Sequence, residues 1–388
     1  MTYELTASQK KLVSAIRDFG ASRFDFESVK NWRFEGGLPD EVVQSFVRID
    51  LSGIEEVKSI AGVCGGILNQ ILVTEEITRC AASTLPFPMD MFNAWFIKNY
   101  GTEKQNDFVL SDYYESGRMQ LSFAASEPGA GTASTSMITS TRAIDGQIVL
   151  NGHKTFVQNG EFAPYILVSS VDGDASAEGD PVLNLWLVPR ASKGVRAYPI
   201  PKIGQTILPF ADIEFEGVVL DPEWQVAKGE WGFTKLFRLF DHQRIVVSAM
   251  SLGLAQAALE DAARYAGKRQ VFGKRIGDYQ QVKAMLTDME VKIRNMRNLV
   301  YETARCADSG KIDRLGVALM KRYVPQAATS IASDAIQIFG GTGYTLRERV
   351  GTIWEDCRGN QIDGGTDQLM ANIAGDLVIA KYSNSALE

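Results

Sequence analysis

The apolar pattern of this 388-residue chain changes character twice, and those two changes limit what it can fold into. Up to about residue 119 the pattern is helical. Thr6 followed by Gln9 is a capping-box signature, in which each side chain takes a backbone N–H that a first helical turn leaves orphaned. Leu12, Val13, Ile16 and Phe19 then recur at helical spacing. A second helical stretch, 67–79, carries Glu75 and Glu76 and is expected to break at Pro86 and Pro88. From about 120 to 228 the chain runs in short β-like segments. GQIVLNG, PYILVSSV and VLNLWLV are rich in β-branched and aromatic residues and bounded by Gly, Asp or Pro. Residues 212–215 alternate polar and apolar as a half-buried strand does, and 173–181 reads as a polar hairpin loop. After Trp231 long helices return. Val282, Leu286, Met289, Ile293, Met296 and Val300 alternate spacings of four and three, the seam of a helical bundle. The expectation is an α+β chain of several domains: helical over 1–119, β over 120–228, helical over 229–388.

Composition narrows the class. A hydrophobic content of 45% fits an ordinary globular chain, and the net charge of −7, with no basic face, argues against nucleic acid. The longest apolar run, Ile245 to Leu259, contains Ser and Gln and is too short to span a bilayer, so we read it as a buried helix. The N-terminus MTYELTASQKK has no apolar signal core. Cys64, Cys80, Cys306 and Cys357 lack metal or redox spacing and read as reduced thiols of a cytoplasmic protein. With only His153 and His242, neither a zinc site nor a Ser-His-Asp triad is expected.

Three segments carry the functional signal. FAASEPGAGTASTS (123–136) is a Gly- and Pro-rich loop. RQVFGKRIGDYQQ (269–281) joins two helical stretches. QIFGGTGYTLRERVGTIWEDCRGNQIDGGTDQ (337–368) has two glycine pairs, where backbone can adopt positive φ or approach a ligand closely. Singly, each is a weak signal and reads equally as a surface loop or helix cap. In this order and spacing they resemble the acyl-CoA dehydrogenase superfamily, over roughly residues 70 to 380. The resemblance implies an N-terminal helical domain, a central β-barrel and a C-terminal four-helix bundle, assembled as dimers or dimers of dimers. It implies FAD between the β domain and the bundle, a CoA thioester as substrate and an electron-transferring flavoprotein as electron acceptor.

Site residues carry over position by position. Phe123, Ala125 and Ser126 match the loop that faces the flavin ring, and Thr132 stands where the family usually has Ser. Phe156 matches the aromatic that flanks the ring, whereas Gln158 replaces the usual Thr at its edge. Arg269 and Phe272 match residues that reach the FAD of a neighbouring subunit, the arginine toward its pyrophosphate. Gln280 matches an amide near the ribityl–pyrophosphate region. Gln337 and Gly341 match adenine-side contacts from a partner chain, and Thr366 and Gln368 match the contacts of the final GGT. Asp241 and Arg244, in FDHQR, match a pair that contacts CoA, and read equally as an ordinary charged helix start.

The catalytic base is missing from both of the family's positions. Removing a thioester α-proton needs a carboxylate and donors to the developing enolate oxygen. The Glu that usually precedes the final Gly-Thr is Gly364 here, and the alternative Glu position holds Gln243. The backbone N–H of Gly364 remains available to polarise a thioester carbonyl. Three readings follow. A carboxylate arrives from elsewhere: first Asp90, in the proline-bounded apolar stretch PFPMDMF, then Asp363. Asp90 also reads as a turn or helix-cap residue. A relocated base would favour a 1,4-type dehydrogenation of a cyclic or unsaturated acyl-CoA. Alternatively the chain is a desulfinase-like, non-redox enzyme with Arg79 as the anion-binding residue. Or it is a poorly catalytic subunit of a heteromeric dehydrogenase.

Overall fold

The computed structural model describes residues 4–51, 54, 65–116, 121–132, 136–175 and 182–383; Cys64 and most of the 173–181 loop lie outside the described residues. The N-terminal part comprises α1 (Ala7–Arg23), α2 (Phe26–Glu35), α3 (Asp40–Val47), α4 (Ile67–Ala81), α5 (Phe87–Tyr100) and α6 (Glu103–Ser116). Both halves of the Thr6–Gln9 capping box form, each at 3.1 Å. The prolines do not end α4. That helix stops at Ala81, followed by Ala82 in the left-handed region, and Pro86 and Pro88 instead open α5. In a first turn the N–H that proline lacks would have no partner anyway.

The central part is one eight-stranded sheet: β1 (Leu121–Ala124), β2 (Ser140–Ile144), β3 (Gln147–Gln158), β4 (Tyr165–Asp172), β5 (Leu183–Pro189), β6 (Val195–Pro199), β7 (Phe210–Leu220) and β8 (Gln225–Lys228). Its order is β6-β7-β3-β2-β4-β5-β8, with β1 also paired to β4. One edge of β4 is shared. Its first half pairs in parallel with β1 and its end pairs in parallel with β2. The sheet encloses its own core, including Val157, Ile166, Trp186 and Phe215. The end strands β6 and β8 are not paired to each other among the described residues, so the expected barrel is hydrogen-bonded as an open sheet. Along β5, Trp186 and Val188 face that inner core, while Leu183, Leu185 and Leu187 face the helices. Burial on both faces explains why this strand reads as a continuous apolar run.

The C-terminal part comprises α7 (Glu230–Lys268), a hairpin of β9 (Gln270–Val271) and β10 (Lys274–Arg275), α8 (Gln280–Asp308), α9 (Arg314–Phe339), α10 (Val350–Asn360) and α11 (Asp367–Ser383). On α8, Met289, Ile293, Met296 and Val300 are fully buried, and Val282 and Leu286 are partly so. Truncating one of the buried four to Ala would cost about 2–5 kcal/mol. The apolar window of α7 is 83% buried within the fold, as a core helix requires. Gly253 lets α7 cross α4 closely, since a Cβ there would lie 2.4 Å from the Glu75 carbonyl oxygen.

Asp356, on α10 and fully buried, ties the three parts together. It accepts hydrogen bonds from Arg33 Nη1 of α2 at 2.8 and 2.9 Å, from Ser83 Oγ at 3.1 Å and from the Thr84 N–H at 2.8 Å. The Gln205 N–H donates to it as well. That last contact fixes the β6–β7 connection over the cavity described next.

Candidate active site

A cavity of about 640 Å³ lies where the sheet, α5, α7 and the turn between α10 and α11 meet. Phe123, Ala125 and Ser126 reach it from the end of β1, and Thr132 from the loop that follows. Phe156 and Gln158 reach it from β3, and Gln243 and Arg244 from α7. Asp363, Gly364, Gly365 and Thr366 form its wall at the α10–α11 turn.

Asp363 sits at the centre of the polar groups. Gln158 Nε2 donates to its Oδ2 at 2.9 Å and Gln243 Nε2 to its Oδ1 at 3.2 Å. Both glutamines occupy positions where the family resemblance expected another residue, and here they hold the same carboxyl. Burial raises the Asp363 pKa above the ordinary carboxylate range, and Lys321 and the Gln158 amide oppose that only in part. No cation lies within salt-bridge distance of it among the described residues.

The turn that carries Asp363 is clamped by two cations. Arg244 Nε donates to the Gly364 carbonyl at 3.0 Å, while its Nη1 pairs with Asp241 at 2.7 Å. Burial lowers the Arg244 pKa and raises that of Asp241. Lys321 Nζ, on α9 and fully buried, donates to Asn360 O at 2.9 Å and Gly365 O at 3.1 Å. Burial brings its pKa down to about 8. Gly364 and Gly365 have φ of 67° and 110°. A Cβ on Gly364 would come no closer than 3.6 Å to any neighbour, Lys321 Cε being the nearest, so the backbone conformation favours glycine there, and crowding does not.

The β1 loop has its own buried pin. Lys154 Nζ donates to Ala125 O at 3.0 Å, Glu127 Oε1 at 2.9 Å and Ser169 Oγ at 3.3 Å. Glu127 in turn accepts from the N–H groups of Ile138 at 2.7 Å and Thr139 at 3.0 Å. Burial brings the Lys154 pKa down to about 8. Lys154, Lys321 and Glu127 were not singled out in the sequence. The residues around them, NGHKTF for Lys154, LMKRYV for Lys321 and SEPGAG for Glu127, do not mark these charges as buried.

Several sequence candidates fall elsewhere. Asp90 does not line the cavity. Met89 and Asn93 do, four residues apart on α5, and Asp90 is turned about 100° from Met89 into the protein interior. This reverses the order of the two carboxylates proposed from sequence. Asp241 stands behind Arg244. Arg269 and Phe272 are exposed on the β9–β10 hairpin, Phe272 by 94%. Gln280, Gln337, Gly341 and Gln368 are exposed at or near helix ends, away from the cavity lining. Arg79 pairs with Glu76 and Glu260 in a different cavity. His242 is buried with Nε2 2.6 Å from Gln70 Oε1, and burial brings its pKa down to about 3, so it is neutral.

The lining suits a planar ring system with polar edges. Phe156 is 61% exposed toward the cavity and held at φ 57°, a conformation that costs a non-glycine residue about 1–3 kcal/mol. Ser126, Thr132, Gln158 and Thr366 add hydrogen-bonding groups along the same wall.

Three family models match in sequence order: the acyl-CoA dehydrogenase N-terminal domain over residues 6–116, middle domain over 122–218 and C-terminal domain over 230–379. The chain belongs to the acyl-CoA dehydrogenase family. Members are flavin-dependent oxidoreductases that act on CoA thioesters. The chain is 31% identical to a probable acyl-CoA dehydrogenase, YdiO, of Escherichia coli strain K12, over 99% of this chain and all of that one. Among solved structures, an acyl-CoA dehydrogenase from Slackia heliotrinireducens is 40% identical with a TM-score of 0.87, covering 99% of both chains. The butyryl-CoA dehydrogenase of Megasphaera elsdenii is 26% identical with a TM-score of 0.88, covering 98% of this chain and all of that one.

Proposed function

We propose that this acyl-CoA dehydrogenase family member is an FAD-dependent oxidoreductase of CoA thioesters in which Asp363 transfers the substrate proton. One observation carries the assignment: Asp363 is a cavity-lining carboxyl, raised in pKa by burial and oriented through both oxygens by neutral amides. A proton acceptor needs a carboxyl that is ionised in use yet not tied up by a cation. Amide donors orient it without the attraction of a full positive charge.

FAD would be held along Phe123, Ala125, Ser126, Thr132, Phe156, Gln158 and Thr366, where it supplies the two-electron acceptor. Arg269, Phe272, Gln280, Gln337 and Gly341 are exposed in one chain, which supports their serving the cofactor of a second copy in a dimer or dimer of dimers. Arg244 and Asp241 fix the turn that presents Asp363, and Arg244 lines the cavity where the thioester would pass. An electron-transferring flavoprotein as electron acceptor and a cytoplasmic location are part of this reading.

The carboxyl is displaced by one residue from the position the resemblance gives to Glu, and that position, Gly364, has no side chain. The finer reading is therefore proton removal at a carbon beyond Cα, a 1,4-type dehydrogenation of a cyclic or unsaturated acyl-CoA. The desulfinase-like alternative loses its arginine, because Arg79 is paired outside the cavity.

The test is anaerobic mixing of the flavin-loaded protein with saturated, cyclic and enoyl thioesters, with product analysis. Cyclic or open-chain enoyl thioesters should bleach the flavin band and yield a diene product. Bleaching by saturated chains alone, with an α,β-enoyl product, removes the 1,4 reading. A sulfinoacyl thioester is added to the panel, and sulfite release from it without lasting bleaching supports the non-redox alternative. Reduction seen only with a co-purifying second subunit supports the heteromeric one.

A further inference from the structure

One buried cation stands behind the turn that carries Asp363. Lys321, on α9, is fully buried and is not among the residues that line the cavity. Its Nζ donates to Asn360 O at 2.9 Å and to Gly365 O at 3.1 Å. Asn360 is the last residue of α10, so its carbonyl is one of those a helix end leaves without a partner. One amine therefore ties both ends of the segment 360–365. Asn360 is itself anchored, its Oδ1 accepting from Gln205 Nε2 at 2.8 Å and its Nδ2 donating to Ser251 Oγ at 3.0 Å.

A neutral donor could hold the same two carbonyls. What an ammonium adds is charge, and burying charge is costly unless something nearby uses it. Burial lowers the Lys321 pKa only to about 8, so the amine is charged at neutral pH. Three charged groups act on it: Asp363 in the turn and Asp367 at the start of α11 favour its charge, and Arg244 on α7 opposes it. Asp367 Oδ2 accepts from Gln326 Nε2 at 3.0 Å, and Arg244 is paired with Asp241. Asp363 meets only neutral amides, Gln158 of β3 and Gln243 of α7, and Lys321 favours its ionised form against burial. The backbone between them is thin, since a Cβ on Gly364 would lie 3.6 Å from Lys321 Cε.

We propose that Lys321 is a positioning residue and a stand-off counter-charge for Asp363: its amine fixes the turn from behind, and its charge favours the carboxylate from beyond ion-pair distance. The arrangement separates two tasks. An arginine or lysine in direct contact would ease ionisation but occupy the oxygens that must take the proton. A cation behind the turn eases ionisation and leaves both oxygens to amides that orient them. This inference rests on the reading of Asp363 as the group that takes the substrate proton, and it adds what makes that carboxyl able to ionise in a buried place.

The experiment compares the pH profile of the limiting rate of thioester-driven flavin reduction in wild type, Lys321→Met, Lys321→Gln and Asp363→Asn. Met removes charge and donor together, whereas Gln removes the charge and keeps a donor for the carbonyls. Without the positive charge Asp363 ionises at higher pH. In both lysine variants the rise in rate should therefore move up by about one pH unit, a loss of about tenfold at any pH below the ionisation. Lys321→Met should lose more of the limiting rate than Lys321→Gln, because its turn is also untied. A reciprocal measurement needs neither lysine variant to fold. Asp363→Asn removes the carboxylate, so the Lys321 amine, followed by NMR of isotope-labelled lysine, should lose its proton at lower pH than in wild type. A Lys321→Gln profile with the wild-type ionisation, or a Lys321 titration unmoved by Asp363→Asn, overturns the inference and leaves the reading of Asp363 intact. If the Asp363→Asn profile keeps the wild-type rate and ionisation, that reading fails, and the inference with it.

Discussion

Two of the cavities among the described residues are lined by carboxylates and cations, and they are built in opposite ways. The first, about 530 Å³, lies among α1, α4, α7 and α8. Each of its carboxylates meets a cation. Glu75 accepts from Arg297 at 2.7 and 3.0 Å and from the Tyr301 hydroxyl at 2.8 Å. Glu76 accepts from Arg17 at 2.9 Å and Arg79 at 2.6 Å, and Glu260 accepts from Arg79 at 3.0 Å. Burial pushes the Glu76 pKa up, but the two arginines outweigh it and hold it below its ordinary value. In the second cavity, Asp363 meets amides and its pKa goes up. The first arrangement fixes four helices with charges that stay as they are. The second keeps one carboxyl close to exchanging its proton. A carboxylate beside an arginine in a cavity is therefore poor grounds for catalysis, whereas one held by neutral donors is better grounds.

That contrast can be broken by substitution. The largest effect should come from Asp363→Asn, which removes the exchangeable proton and keeps the shape. Thioester-driven flavin reduction should fall by about 10²–10⁴-fold while bound flavin, read from its absorption, is retained. In the other cavity, Glu75→Ala leaves Arg297 and Tyr301 without their acceptor. It should lower stability by roughly 3 kcal/mol, seen as a lower thermal midpoint, with the reduction rate little changed. Lys154→Met frees the loop that carries Ala125 and Ser126, and flavin dissociation, followed by fluorescence, should become about tenfold more favourable. The smallest effect should come from Asp90→Asn. Reduction should stay within about twofold of wild type, since the side chain lies outside the cavity lining; a loss matching that of Asp363→Asn would return Asp90 to the site.

The fold was legible in the sequence to the extent that its elements repeat a period. The α8 seam and the two-sided burial of β5 follow from spacing and run length alone. The SEPGAG and GGT segments located the cavity wall, because residues of both line it. What escaped was set by register and turn geometry. Asp90 stands out as an acid in the proline-bounded apolar stretch PFPMDMF, and its neighbours Met89 and Asn93 do line the cavity, yet one residue along a helix is a rotation of about 100°. Asp363 looked misdirected for a similar reason, since a one-residue shift normally turns a side chain away. Here two consecutive glycines at positive φ, clamped by Arg244 and Lys321, bring it to the cavity wall. Lys154 and Lys321 left little trace, because NGHKTF and LMKRYV give no sign that the lysine charge is fully buried.

The central claim is that the amide-held Asp363 exchanges the substrate proton. The measurement that tests it most directly is the pH profile of the limiting rate of anaerobic flavin reduction, in wild type and in Asp363→Asn. A base must be ionised to act, and the Asp363 pKa is raised. The wild-type rate should therefore rise with pH through one ionisation lying above the ordinary carboxylate range, and be lost as pH falls below it. The variant should show a low rate without that ionisation. An Asp363→Asn profile that keeps both the wild-type rate and its ionisation would contradict the account.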